Sequence, residues 1–183
     1  MVWALATVAN VGSSAATVEF MDVALASSPS PATASVPLDA IVPTSFPVEE
    51  PEGVENLVTL PRLSEGDVLH LSRVRLAGSN IYAWMGSALL AINPYKAMPA
   101  LYGPATVARF LESNSRADAE PHVYAVADRA YRKATSTGRA QGIVISGESG
   151  AGKSRTTGFI LEYTTRVASQ NTGSDDDDDA ADM

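Results

Sequence analysis

Cysteine is absent from this 183-residue chain, and histidine occurs only as His70 and His122. No disulfide framework and no thiolate metal site can form. Basic residues are scarce at the start: the first is Arg62, so the apolar opening at residues 1–11 lacks the charged n-region of a signal peptide. No uninterrupted apolar run is long enough to span a bilayer. No basic stripe of the kind nucleic acid requires is present either. These absences lead us to expect a cytosolic protein with no membrane span and no nucleic-acid partner. The net charge of −8 is mostly local, because six of the negative charges are Asp175 to Asp179 and Asp182, and the remainder of the chain nets −2. A content of 45% hydrophobic and 19% charged residues suits a globular core, and the length allows one domain with a small appendage.

What is present is organised around residues 141–168, QGIVISGESGAGKSRTTGFILEYTTRVA. The β-branched run Ile143-Val144-Ile145 predicts a strand buried on both faces. Residues 147–154 then satisfy GxxxxGK[ST], and a helical pattern follows with Thr157, Ile160, Leu161, Thr164 and Ala168 on one face. Glycines at such a loop let the backbone lie directly against a polyphosphate, whose oxygens meet successive N–H groups and the positive end of the helix. The candidate phosphate-binding residues are therefore Gly147, Glu148, Ser149, Gly150, Ala151, Gly152, Lys153 and Ser154. Lys153 supplies a full charge to the β- and γ-phosphates, and the Ser154 hydroxyl is the candidate Mg²⁺ ligand.

The rest of the chain reads in four parts. Residues 1–45 alternate short β-type runs with small polar residues: residues 2–8, 16–20 and 36–43 read as strands and residues 27–35 as a loop, which predicts a small barrel. Residues 46–61 form a Pro- and Glu-rich linker. Ser64 and Asp67 mark a helix start, with Val68, Leu69, Leu71 and Leu76 on its apolar side. Residues 81–85 and 88–92 predict a hairpin around Gly86-Ser87, running into Asn93-Pro94-Tyr95-Lys96. Pro104 opens a helix with Val107, Phe110 and Leu111 inward. Pro121 opens another, with Val123, Val126, Ala127, Ala130, Tyr131 and Ala134 inward and Asp128 and Arg132 one turn apart on its wet side. His122 reads as structural. Residues 171–183 are an acidic low-complexity tail that reads as a solvated segment.

The wording of GESGAGKS resembles the phosphate-binding loop of myosin motor domains. Three upstream stretches resemble the same family in the same order: residues 63–71 (LSEGDVLHL), 81–102 (IYAWMGSALLAINPYKAMPALY) and 121–132 (PHVYAVADRAYR). The resemblance implies an α/β, P-loop NTPase-type motor fragment over residues 54–170, and makes residues 1–45 akin to the SH3-like β-barrel that precedes many such motors. It implies that Asn93, Pro94, Tyr95 and Tyr102 hold adenine and ribose, with one extra residue before Tyr102. It further implies ATP and Mg²⁺, an actin filament and light chains or calmodulin as partners of the intact protein, and a cytoplasmic, cytoskeleton-associated location. Two residues depart from the family wording: Arg155 stands where an acidic residue is common, and Gly158 replaces a usual lysine. A basic residue in a first helical turn costs roughly 0.3–1 kcal/mol against the helix dipole, and an interior glycine costs about 1 kcal/mol relative to alanine. The two switch loops that complete a myosin site, NxNSSRFG-like and DxxGFE-like, do not occur among these residues, so the chain alone is expected neither to turn over ATP nor to bind actin. Two alternatives are a non-enzymatic remnant and another P-loop enzyme. Against the second stand the three upstream stretches and the lack of a basic lid.

Overall fold

The computed structural model describes residues 6–20, 33–41, 54–112 and 120–172. The acidic tail from residue 173, the linker residues 46–53 and most of the polar loop after residue 112 lie outside the described residues. The chain divides into two compact units, residues 1–80 and 81–183.

In the first unit, β1 (Ala6–Val11), β2 (Ala15–Phe20) and β3 (Thr33–Pro37) form an antiparallel meander in that order. The β1–β2 register slips between Val8 and Asn10, a bulge that increases the local twist. Among the described residues the sheet is open, and no closed barrel forms. The third strand starts within the stretch read as a loop and stops at Pro37, which has no N–H to extend the ladder, and a 3-10 turn follows at Leu38–Ala40. Helix α1 (Glu65–Ala77) begins as expected: the Ser64 hydroxyl oxygen accepts from the Asp67 N–H at 3.1 Å, and the Ser64 N–H donates to the Asp67 carboxylate at 3.2 Å. Its buried stripe differs from the expected one. Asp67, Leu71 and Arg75 are buried at i, i+4 spacing, while Leu69 is exposed. The Arg75 guanidinium can be interior because it donates to the Val54 carbonyl at 3.2 Å.

The second unit opens with a hairpin of β4 (Tyr82–Met85) and β5 (Ala88–Ala91), paired Tyr82 to Ala91 and Met85 to Ala88. Gly86 takes a φ of 63° in the two-residue turn, a conformation glycine adopts without Cβ strain. A short helix α2 (Pro99–Tyr102) and then α3 (Pro104–Glu112) lead to α4 (Val123–Thr137), and α5 (Lys153–Thr172) ends the described chain. Helix α3 lies against α4, and α4 against α5.

His122 is the N-cap of α4. Its Nδ1 accepts from the Tyr124 N–H at 3.0 Å, and its Nε2 lies 3.1 Å from the Leu101 carbonyl. Only the neutral tautomer protonated at Nε2 serves both bonds. Burial pushes its pKa down to about 4, and nearby Arg109 pushes the same way against the Leu101 bond. The ring sits among Tyr82, Tyr102, Phe110 and Tyr124, with Phe110 stacked at 4.9 Å. The structural reading of His122 holds.

Two expected faces are rotated. Asp128 is not on the wet side of α4: it is 1% exposed, accepting from the Tyr163 hydroxyl at 3.0 Å and from Arg132 Nε at 2.6 Å. The inward face of α5 carries Ile160, Tyr163 and Val167, whereas Leu161 is exposed. Tyr163 decides the rotation, since its ring stacks on Tyr124 at 4.9 Å while its hydroxyl reaches Asp128. A pattern that counts tyrosine as polar places α5 one residue off.

The largest departure is at residues 143–145. These residues form no ladder, and Val144 is 92% exposed. The expected strand, buried on both faces and paired on both sides, is therefore an unpaired segment here. A strand's backbone groups need neighbouring strands, and both sheets among the described residues are built from other segments.

Candidate nucleotide-binding site

The glycine-rich loop runs from residue 147 to the first turn of α5, as its spacing predicts. Gly150 and Gly152 take φ values of 81° and 96°, which an L side chain rarely adopts. They let the chain curl over itself, with the Ala151 N–H donating to the Glu148 carbonyl at 3.2 Å. The Lys153 ammonium folds back across the curl and donates to the carbonyls of Gly147 and Glu148, both at 2.8 Å. One full positive charge is thus held over the loop, while Ser149 and Ser154 are exposed beside it. Among the described residues no group of three His, Asp or Glu side chains gathers that could hold a metal ion.

The second predicted segment meets the first. Asn93 Nδ2 donates to the Gly150 carbonyl at 2.7 Å, and its Oδ1 accepts from the Tyr95 N–H at 3.0 Å. The Tyr95 hydroxyl reaches the same Gly150 carbonyl at 3.4 Å. Tyr95 itself has a φ of 49° and is 84% exposed. Pro94 and Tyr95 border a cleft of about 700 Å³ enclosed by residues 93–99, Tyr102, Gly152, Arg155 and Phe159. Asn93 therefore braces the loop and retains one amide N–H for a further partner.

Tyr102 reaches this cleft, but both its ring and its hydroxyl are engaged. The ring stacks on Phe159 at 3.6 Å with a 9° tilt, and the hydroxyl shares a 2.8 Å hydrogen bond with Tyr82. Burial raises the Tyr102 pKa, and the Tyr82 bond and Arg155 oppose the rise. Phe159 and Arg155 were not among the predicted site residues. Their signal was available in the spacing, because a helix places positions two and six after Lys153 about one turn apart, on the same side.

A second hollow, of about 510 Å³, borders β5, α4, α5 and the unpaired residues 141–146.

A glycine-rich loop that opens a helix and holds a lysine over its own carbonyls places the molecule in the P-loop class. Residues 54–179 match the model of the myosin head (motor domain) family. The chain is 41% identical to Myosin-15 of Arabidopsis thaliana over 127 residues, 69% of this chain and 8% of that protein. It is 38% identical to Unconventional myosin-VI of Sus scrofa over 141 residues, 76% of this chain and 11% of that one. Myosin-K heavy chain of Dictyostelium discoideum is 41% identical over 119 residues, 65% of this chain and 14% of that one. The chain belongs to the myosin head family. It spans about a tenth of the length of these relatives. No described helix is long and apolar enough to cross a membrane.

Proposed function

We propose that this chain is an ATP-binding segment of an actin-based motor, and that the loop at residues 147–154 holds the triphosphate while Asn93, Pro94, Tyr95 and Tyr102 border the base and ribose. The observation that carries the reading is the 2.7 Å bond from Asn93 to the Gly150 carbonyl, which sets the base segment beside the phosphate loop. Lys153 already sits over the loop, and on binding it exchanges two carbonyl acceptors for phosphate oxygens, a charge-assisted contact stronger than the one it leaves. Ser154 offers the hydroxyl that a magnesium ion uses in P-loop sites, and the metal there neutralises developing charge on the phosphates. Water positioning and the second half of the magnesium site we assign to other parts of the motor. Actin filaments and light chains or calmodulin are the partners of that whole assembly, which works in the cytoplasm on the cytoskeleton. The hollow beside residues 141–146 is where neighbouring strands of the motor would pair, and the meander at residues 6–37 supports a small SH3-like β module.

The direct test is Lys153→Met, assayed with a fluorescent ATP analogue. Loss of a charge-assisted contact worth ~1.5–3 kcal/mol predicts affinity reduced tenfold or more with unchanged circular dichroism. Unchanged binding would overturn the assignment.

A further inference from the structure

Arg155 stands in the first turn of α5, where a cation opposes the helix dipole and an anion would compensate it. Its guanidinium carbon lies 5.2 Å from the centre of the Phe159 ring. Phe159 is in turn stacked on Tyr102 at 3.6 Å, so a cation and a stacked pair of rings stand together at the wall of the 700 Å³ cleft. A cation–π contact engages the guanidinium's charge without using its N–H groups as hydrogen-bond donors, which stay available to a ligand. Arg155 makes no ion pair among the described residues. Lys96 also lines the cleft, and no acidic side chain does.

Position decides what this cation would meet. Gly152 belongs both to the glycine-rich loop and to the cleft wall that includes Arg155. A nucleotide whose β- and γ-phosphates lie under Lys153 and whose base lies by residues 93–95 must pass between them at its α-phosphate. We infer that Arg155 is a specificity-determining residue that grips the α-phosphate, so that the segment binds nucleoside phosphates through an anchor separate from the Lys153 cradle. This rests on the nucleotide-site reading above. Of the two groups that pass Arg155, ribose and α-phosphate, the charged one gains more from a guanidinium held beside an aromatic ring.

Arg155→Gln keeps length and planarity but removes the charge. Its binding of ATP, AMP, adenosine and pyrophosphate should be compared with that of the unsubstituted full chain by competition against a fluorescent ATP analogue. The expected result is an AMP affinity reduced on the order of tenfold, a similar loss for ATP, and little change for adenosine or pyrophosphate. Arg155→Lys should recover part of the loss, and the salt dependence of AMP binding should flatten in the Gln variant. An equal loss for adenosine would mean that Arg155 acts on the base or only shapes the cleft, and would overturn the inference. Unchanged AMP binding would overturn it too while leaving the nucleotide site standing. If the unsubstituted chain binds neither ATP nor pyrophosphate, both readings fall.

Discussion

Residues 143–145 and residues 123–128 make an instructive pair. The first is purely aliphatic, Ile-Val-Ile, and lies unpaired with its central valine almost fully exposed. The second includes Tyr124 and Asp128, follows a histidine cap, and forms part of the buried core. Hydrophobicity alone ranks these stretches the wrong way round. A helix satisfies its own backbone and needs only one neighbour, here α5, to bury a face. A strand's backbone groups need other strands, wherever in the sequence those lie. Polar groups enter the core because partners meet them there: Asp128 finds Tyr163 and Arg132 between α4 and α5, and His122 finds Leu101 and Tyr124 at the start of α4.

The sharpest way to break this comparison is acid. His122 has its pKa lowered to about 4 in the folded chain against an ordinary value of 6.5. Below 6.5 the unfolded chain takes up a proton that the folded one refuses, so stability falls as pH drops from 6.5 to 4 and levels off beneath. The full loss is about 3 kcal/mol at 1.36 kcal/mol per pKa unit. Urea unfolding at a series of pH values, with His122→Gln as reference, measures it. A reference variant that loses as much stability over that range would place the acid sensitivity elsewhere.

Asp128→Ala comes next, with an expected loss of about 2 kcal/mol. The buried Tyr163 hydroxyl loses its acceptor, while Arg132, which is about two-fifths exposed, can turn to water. Chemical denaturation reads the change, and a loss below about 0.5 kcal/mol, the range of ordinary surface substitutions, would show that the interface does not need the pair.

The smallest effect belongs to the other member of the comparison. Val144→Thr should change stability by less than about 0.5 kcal/mol, because the side chain it alters is already in water. Amides of residues 142–146 should exchange with solvent at rates near those of an unstructured chain. Strong protection there, or a large loss on substitution, would mean that the segment is already paired in solution.

Much of the second unit was legible. The hairpin around Gly86-Ser87, the α3 face with Val107 and Phe110, and the loop-to-helix junction at Lys153 follow from turn chemistry, proline placement and spacing. The Ser64–Asp67 cap in the first unit did too. What failed were judgements of partnership. Asp128 looked wet because a carboxylate on a helix surface usually is, and its acceptor role toward Tyr163, 35 residues away, is not a local signal. Of the candidate site, the glycine-rich loop and the Asn93–Tyr95 segment were named from the sequence, and the cleft they border also takes in Phe159 and Arg155. Nothing in the structure accounts for glycine at position 158, where an added Cβ would meet no atom within 4 Å.

The Gly150 carbonyl accepts from two side chains, Asn93 and Tyr95, that precede it by 57 and 55 residues. During synthesis those two residues leave the ribosome first. At roughly 5–20 residues per second, the hairpin end waits about 3–11 s before the glycine-rich loop is made. Hairpin closure takes only microseconds, far less than that wait. The brace is therefore made from two parts of the chain synthesised seconds apart, the Asn93–Tyr95 segment first and the glycine-rich loop second.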